Sequence, residues 1–142
     1  MGLRVCVDAS VAVKLVVQEP YSDRAASLWQ GWIGEDIERI VPSFFPFEVA
    51  STIHRKCVRK QLTEEEAEEA FEIFTILDFA VLEPKTLLKE AWDMAKELGL
   101  PALYDTAYLA LAKLCNCEFW TADEVLINSL QGRFSWVKWI GG

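Results

Sequence analysis

Five short, largely apolar runs recur along the chain, and they constrain the fold more than any other feature. They are 4–8 (RVCVD), 38–42 (ERIVP), 79–83 (FAVLE), 117–121 (CEFWT) and 136–140 (WVKWI). Their length suits strands, and their near-continuous apolar character predicts burial on both faces. Residues 9–17, 21–33, 44–60, 63–77, 86–98, 103–115 and 123–130 read as helices between them. Thr63 and Glu66 form a capping box at one start. Gly99 with Pro101 marks one helix end, and Asn116 is a left-handed cap for another. Strands alternating with helices predict an α/β fold, a parallel sheet covered on both faces. With 142 residues and no repeat, low-complexity tract or linker, the chain is expected to form a single domain over 1–142.

An apolar fraction of 52% with six tryptophans excludes a disordered chain. No apolar run reaches membrane-spanning length, and the start lacks a secretory pattern. Cys6 occupies the place where a myristoylation motif wants Ser or Thr. The expected location is cytoplasmic, with no membrane contact. Fourteen basic and 22 acidic residues give a net charge of −8. That runs against the basic footprint of a nucleic-acid binder, but local distribution counts for more than the sum. Glu64, Glu65, Glu66, Glu68 and Glu69 read as the solvated face of one helix. Cys6, Cys57, Cys115 and Cys117 have no zinc spacing, and Cys6 reads as a buried thiol.

Four acids, Asp8, Glu48, Asp105 and Asp123, each lie at the edge of a short apolar segment. Carboxylates are costly beside apolar core unless their charge is offset. Each has an ordinary reading alone. Asp8, or Ser10 near it, caps the next helix, and Asp123 caps another. Asp105 in a first turn gains from the helix dipole. Glu48 shares a helical face with Thr52, Arg55 and Arg59, as the acidic end of an exposed stripe. Four such acids together suggest convergence on one cation, and in open α/β sheets the carboxyl ends of the strands are where ligands bind.

The flanking residues carry a resemblance. Val7-Asp8-Ala9-Ser10, Pro42 through Glu48-Val49, Tyr104-Asp105-Thr106-Ala107-Tyr108-Leu109-Ala110-Leu111-Ala112 and Trp120-Thr121-Ala122-Asp123 stand in an order and spacing that resemble the PIN-domain family, most closely its compact VapC-like toxins of type II toxin–antitoxin systems. The match spans nearly the whole chain. It departs at Thr106, where Ala is common, and Pro46 stands close before Glu48 at a helix start. The resemblance implies a three-layer α/β/α sandwich and a Mg²⁺- or Mn²⁺-dependent ribonuclease that hydrolyses phosphodiester bonds of RNA. It implies Asp8, Glu48, Asp105 and Asp123 as the catalytic and metal-holding quartet, with Ser10 and Thr121 supporting the site. It also implies a homodimer and a cognate antitoxin.

The chemistry suits these residue types. Phosphodiester hydrolysis needs an activated water and charge neutralisation at the phosphate, which a divalent cation supplies. No side chain need be the nucleophile, and His54, the one histidine, reads as a surface or helix-packing residue. Lys14, Arg55 and Arg59 are candidates for substrate contact, against the plainer reading of the arginines as a solvated last helical turn. Trp29, Trp32, Trp120, Trp136 and Trp139 read as core and interface, with Trp29 and Trp32 open to forming a groove for a partner helix. The competing readings are an RNA-processing nuclease without antitoxin, a degenerate binding module, and a receiver domain. The last would want paired acids after the first strand, and Asp8 stands alone there.

Overall fold

The computed structural model describes residues 3–142; Gly2, the residue that myristoylation would modify, lies outside the described residues. The described residues form five strands: β1 (Arg4–Val7), β2 (Glu38–Val41), β3 (Ala80–Val81), β4 (Glu118–Thr121) and β5 (Val137–Trp139). Seven helices accompany them: α1 (Ala9–Val16), α2 (Ser22–Gly34), α3 (Phe45–Val58), α4 (Glu64–Ile76), α5 (Leu87–Leu98), α6 (Leu103–Leu114) and α7 (Glu124–Leu130). Each lies within the stretch its sequence predicts or overruns it by one residue, because local signals set the ends. Thr63 and Glu66 bond reciprocally at the start of α4, at 3.0 and 2.8 Å. Gly99 closes α5 at φ +68°, and Asn116 follows α6 in the same left-handed region. Pro46 does not disturb α3: it sits in the first turn, where its missing N–H has no helical partner to lose.

The sheet order is β3-β2-β1-β4-β5, and every pair is parallel. The chain steps outward from β1 to β2 and β3, then crosses back to place β4 on the other side of β1. Right-handed crossovers then put α1–α4 on one face and α5 and α6 on the other. The packing agrees: α1 meets α2, α3 and α4, while α6 lies on β1 and β4 beneath α5. The result is a three-layer α/β/α sandwich. Val5, Val7, Ile40, Val41 and Phe119 form its buried sheet layer, and all of Thr106–Ala112 is buried in α6.

This topology fixes where a ligand belongs. The strand order reverses between β1 and β4, and the crevice outside the carboxyl ends of those two strands is the usual binding place in an open α/β sheet. It also excludes the receiver reading, whose strand order is 2-1-3-4-5.

Trp29 and Trp32 are both buried, as the core reading expects, against Phe79 and Trp120 respectively, and Trp32 also edges a groove at the amino end of the sheet. The glutamates of α4 are exposed, as a solvated face should be. All four cysteines are free, with Cys6 buried and its thiol pushed up chiefly by that burial.

Candidate active site

The four acids meet because each is attached to an element that ends at the same crevice. Asp8 follows β1 directly and caps α1; Asp123 stands two residues beyond β4 and caps α7. The Asp8 backbone N–H donates to the Trp120 carbonyl at 3.3 Å, which ties the two strand ends together. Glu48 and Asp105 lie in the first turns of α3 and α6. All four therefore sit at helix N-termini, whose partial positive charge eases the packing of like charges. Together they line one cavity of about 230 Å³, with Ser10, Thr52, Lys14, Glu19, Lys56 and Tyr108 among its other walls. Asp8 and Asp123 thus cap their helices and line the shared cavity with the same side chains.

Asp8 is the most constrained of the four. Its Oδ1 accepts from the Ser10 hydroxyl and from the Ser10 N–H at 3.1 Å, and its Oδ2 accepts from Thr121 Oγ1 at 2.6 Å. Those hydroxyls are themselves anchored. Ser10 Oγ accepts from Ala122 N–H at 2.9 Å, and Thr121 Oγ1 accepts from Asp123 N–H at 3.0 Å. Burial pushes the Asp8 carboxyl up to about 7; the two hydroxyls offset part of this, and the Glu48 and Asp105 charges add to it.

Asp105 is raised by burial and then by the charges of Asp123 and Glu48, with no hydrogen-bond donor among the causes that would favour its ionised form. Glu48 Oε1 accepts from the Tyr108 hydroxyl at 2.5 Å. Burial first, and then Glu48, keeps that phenol protonated and so a donor. Asp123 spends Oδ1 on the N–H groups of Val125 and Leu126. Asp123 lines the cavity as well.

Of the three cations named from sequence, Lys14 lines the cavity, whereas Arg55 and Arg59 do not. Arg55 bonds Thr52 Oγ1 at 3.2 Å, continuing the stripe on α3, and Arg59 is exposed at the helix end. Lys56 takes the inner place instead. Helical side chains lean toward the N-terminus, so its long stem carries the ammonium back toward the first turns of α3. Both lysines bond Glu19. Sequence reasoning also passed over Tyr108, although it lies one helical turn beyond Asp105 in the same motif. The Glu19–Lys56 pair has no comparable signal, because only tertiary packing unites residues 37 apart. His54 is exposed and takes no part.

Among the described residues, no group of three or more His, Cys, Asp or Glu side chains is already placed to hold a metal ion. The donor set still fits a hard divalent cation. Mg²⁺ keeps several of its waters and takes only one or two carboxylates directly, so it needs an acidic, open cavity rather than a cage. The upward-shifted Asp8 and Asp105 supply that demand for positive charge.

Comparisons with known proteins agree with this fold. The family model of the PIN domain matches residues 5–129. The crystal structure of VapC20 from Mycobacterium tuberculosis, described as a sarcin-ricin loop cleaving toxin, is similar at 15% identity and TM-score 0.64, over 90% of this chain and 95% of that one. That of PAE2754 from Pyrobaculum aerophilum is similar at 19% identity and TM-score 0.59, over 91% and 87%. No curated protein matches the sequence.

Proposed function

The chain belongs to the PIN-domain family, and from that premise we propose that it is a Mg²⁺- or Mn²⁺-dependent endoribonuclease acting as the toxin of a toxin–antitoxin pair. The observation that carries the reading is the meeting of Asp8, Glu48, Asp105 and Asp123 on one cavity at the strand-order switch, with two of them raised in pKa and both nearby lysines engaged by Glu19. PIN domains are generally nucleases that use divalent metals, and the similar VapC20 is described as a sarcin-ricin loop cleaving toxin.

In this mechanism Asp8, Glu48, Asp105 and Asp123 would hold the metal, one or two of them directly and the others through its bound waters. A bound divalent cation supplies a water of lowered pKa and neutralises charge on the phosphate. Ser10 and Thr121 fix both oxygens of Asp8, so its lone pairs have one direction. Tyr108 sets the orientation of Glu48, and the α7 N-terminus sets that of Asp123. Lys14 lies at the cavity wall where an RNA phosphate would enter, and Arg55 and Arg59 extend that path along α3. The acidic cavity suits an antitoxin that inserts an arginine. The same reading places the protein in the cytoplasm as a homodimer.

Cleavage of single-stranded RNA should require Mg²⁺ or Mn²⁺, stop with EDTA, and fall about a thousandfold or more in Asp8→Asn or Asp105→Asn, the scale of losing a preorganised electrostatic group. Induced expression should arrest growth, and Asp105→Asn should relieve it. Full activity in both variants would sink the nuclease reading. Cleavage without growth arrest would favour an RNA-processing role.

A further inference from the structure

Two lysines in the acidic cavity are not paired with its quartet. Lys14 of α1 bonds Glu19 Oε1 at 3.3 Å, and Lys56 of α3 bonds Glu19 Oε2 at 2.5 Å. All three side chains are largely buried, with 15–22% of their surface exposed. Long flexible ammonium side chains so close to four carboxylates would ordinarily fall onto them. Glu19 intercepts both.

The loop carrying Glu19 is firmly held. The Ser22 hydroxyl donates to the Val17 carbonyl at 3.0 Å and accepts from the Glu19 N–H at 2.9 Å, and Ser22 is itself buried. Tyr21 adopts φ +71°, a left-handed conformation that a bulky residue reaches only when its surroundings impose it. Its ring packs edge-on against Trp139, with centroids 5.8 Å apart. Burial raises the Glu19 carboxyl, but the bonds and charges of Lys56 and Lys14 outweigh it and hold the group ionised.

We propose that Glu19 is a positioning residue that holds Lys14 and Lys56 at the cavity wall as a preformed receiver for RNA phosphates and keeps them off the quartet. This rests on the nuclease reading of the same cavity. Each ammonium has three donors; one goes to Glu19 and two remain for phosphate oxygens. Fixing the stems beforehand lowers the ordering cost when RNA binds. The trio carries a net positive charge beside an otherwise acidic site, which is how a chain of net charge −8 can still meet a polyanion locally.

The test is fluorescence anisotropy of labelled single-stranded RNA with the full chain in Mg²⁺, using Asp105→Asn as the background to block cleavage. Glu19→Gln should weaken binding about tenfold, the worth of one charge-assisted hydrogen bond. The slope of log affinity against log salt should become shallower by about 0.7 for each phosphate that is no longer neutralised. With Lys14→Gln and Lys56→Gln already in place, Glu19→Gln should cost nothing further, a coupling that a merely structural role does not produce. Unchanged affinity in a folded Glu19→Gln protein would overturn the proposal, as would an equal loss with and without the lysines. Should Glu19→Gln fail to fold, the lysine double variant decides, and unaltered binding there overturns it. Cleavage by the native chain is assayed separately, so failure of the nuclease reading is distinguishable from failure of the role given to Glu19.

Discussion

The two ends of the sheet use the same residue types to opposite effect. At the amino end, a groove carries Arg4, Asp36, Glu38, Lys113 and Glu118. Its acids are exposed and interleaved with cations: Glu38 pairs with Arg4 at 3.1 Å, both about half exposed. At the carboxyl end, Asp8 is 6% exposed and Asp105 is partly buried, and their neighbours are other carboxylates. An acid count cannot separate these two ends. What separates them is burial without a counter-charge, a state that costs stability and persists where a cation resolves it.

The sharpest way to break that contrast is to remove the buried charge. Asp8 titrates near 7 in the folded chain against an ordinary 3.8, so the folded state binds the extra proton between those values. Its contribution to stability is then complete below about pH 4 and is lost as pH rises through about 7, a loss of about 4 kcal/mol. Metal-free protein should therefore melt at progressively lower temperature from about pH 5 to 8, and Asp8→Asn should flatten the profile. At the other sheet end, Glu38→Gln should move the melting curve at any pH by less than about 0.5 kcal/mol. An equal pH response in both variants would erase the distinction.

A smaller effect sharpens it. Thr121→Val keeps the shape but deletes the donor to Asp8 and the acceptor of Asp123 N–H, in a wholly buried position. Denaturant unfolding should show a loss of about 1–3 kcal/mol. A neutral result would mean that water replaces Thr121 without cost and that the hydroxyl does not organise the site.

These residues also show what the chain discloses before it folds. The helix starts at Thr63, Asp8 and Asp123 are written in local chemistry, so they are legible to within a residue. So is the alternation that predicts a parallel sheet. The strand order is not, because no periodicity tells β4 to pair with β1 rather than with β3. Without that order, the meeting of Asp8 with Asp123 rested on the expectation that all four acids share a purpose. Lys56 shows the same limit at finer scale. Helical spacing pointed to Arg55 and Arg59 on the Glu48 face, but the inward lysine is selected by Glu19, from a loop no local pattern connects to α3. The tryptophans show a further limit: the core reading of Trp29 and Trp32 holds, but a pair three residues apart looks alike in sequence whether it faces a partner or the core.

The central claim is that the carboxyl-end acids are held for a divalent cation, and calorimetric titration of Mn²⁺ into the full chain near pH 7.5 tests it most directly. The account predicts saturable binding that weakens as pH falls below about 7, where protons compete for Asp8, and that disappears in Asp8→Asn while Glu38→Gln binds as the native chain does. Absence of binding by the native chain, or undiminished binding by Asp8→Asn, would contradict it.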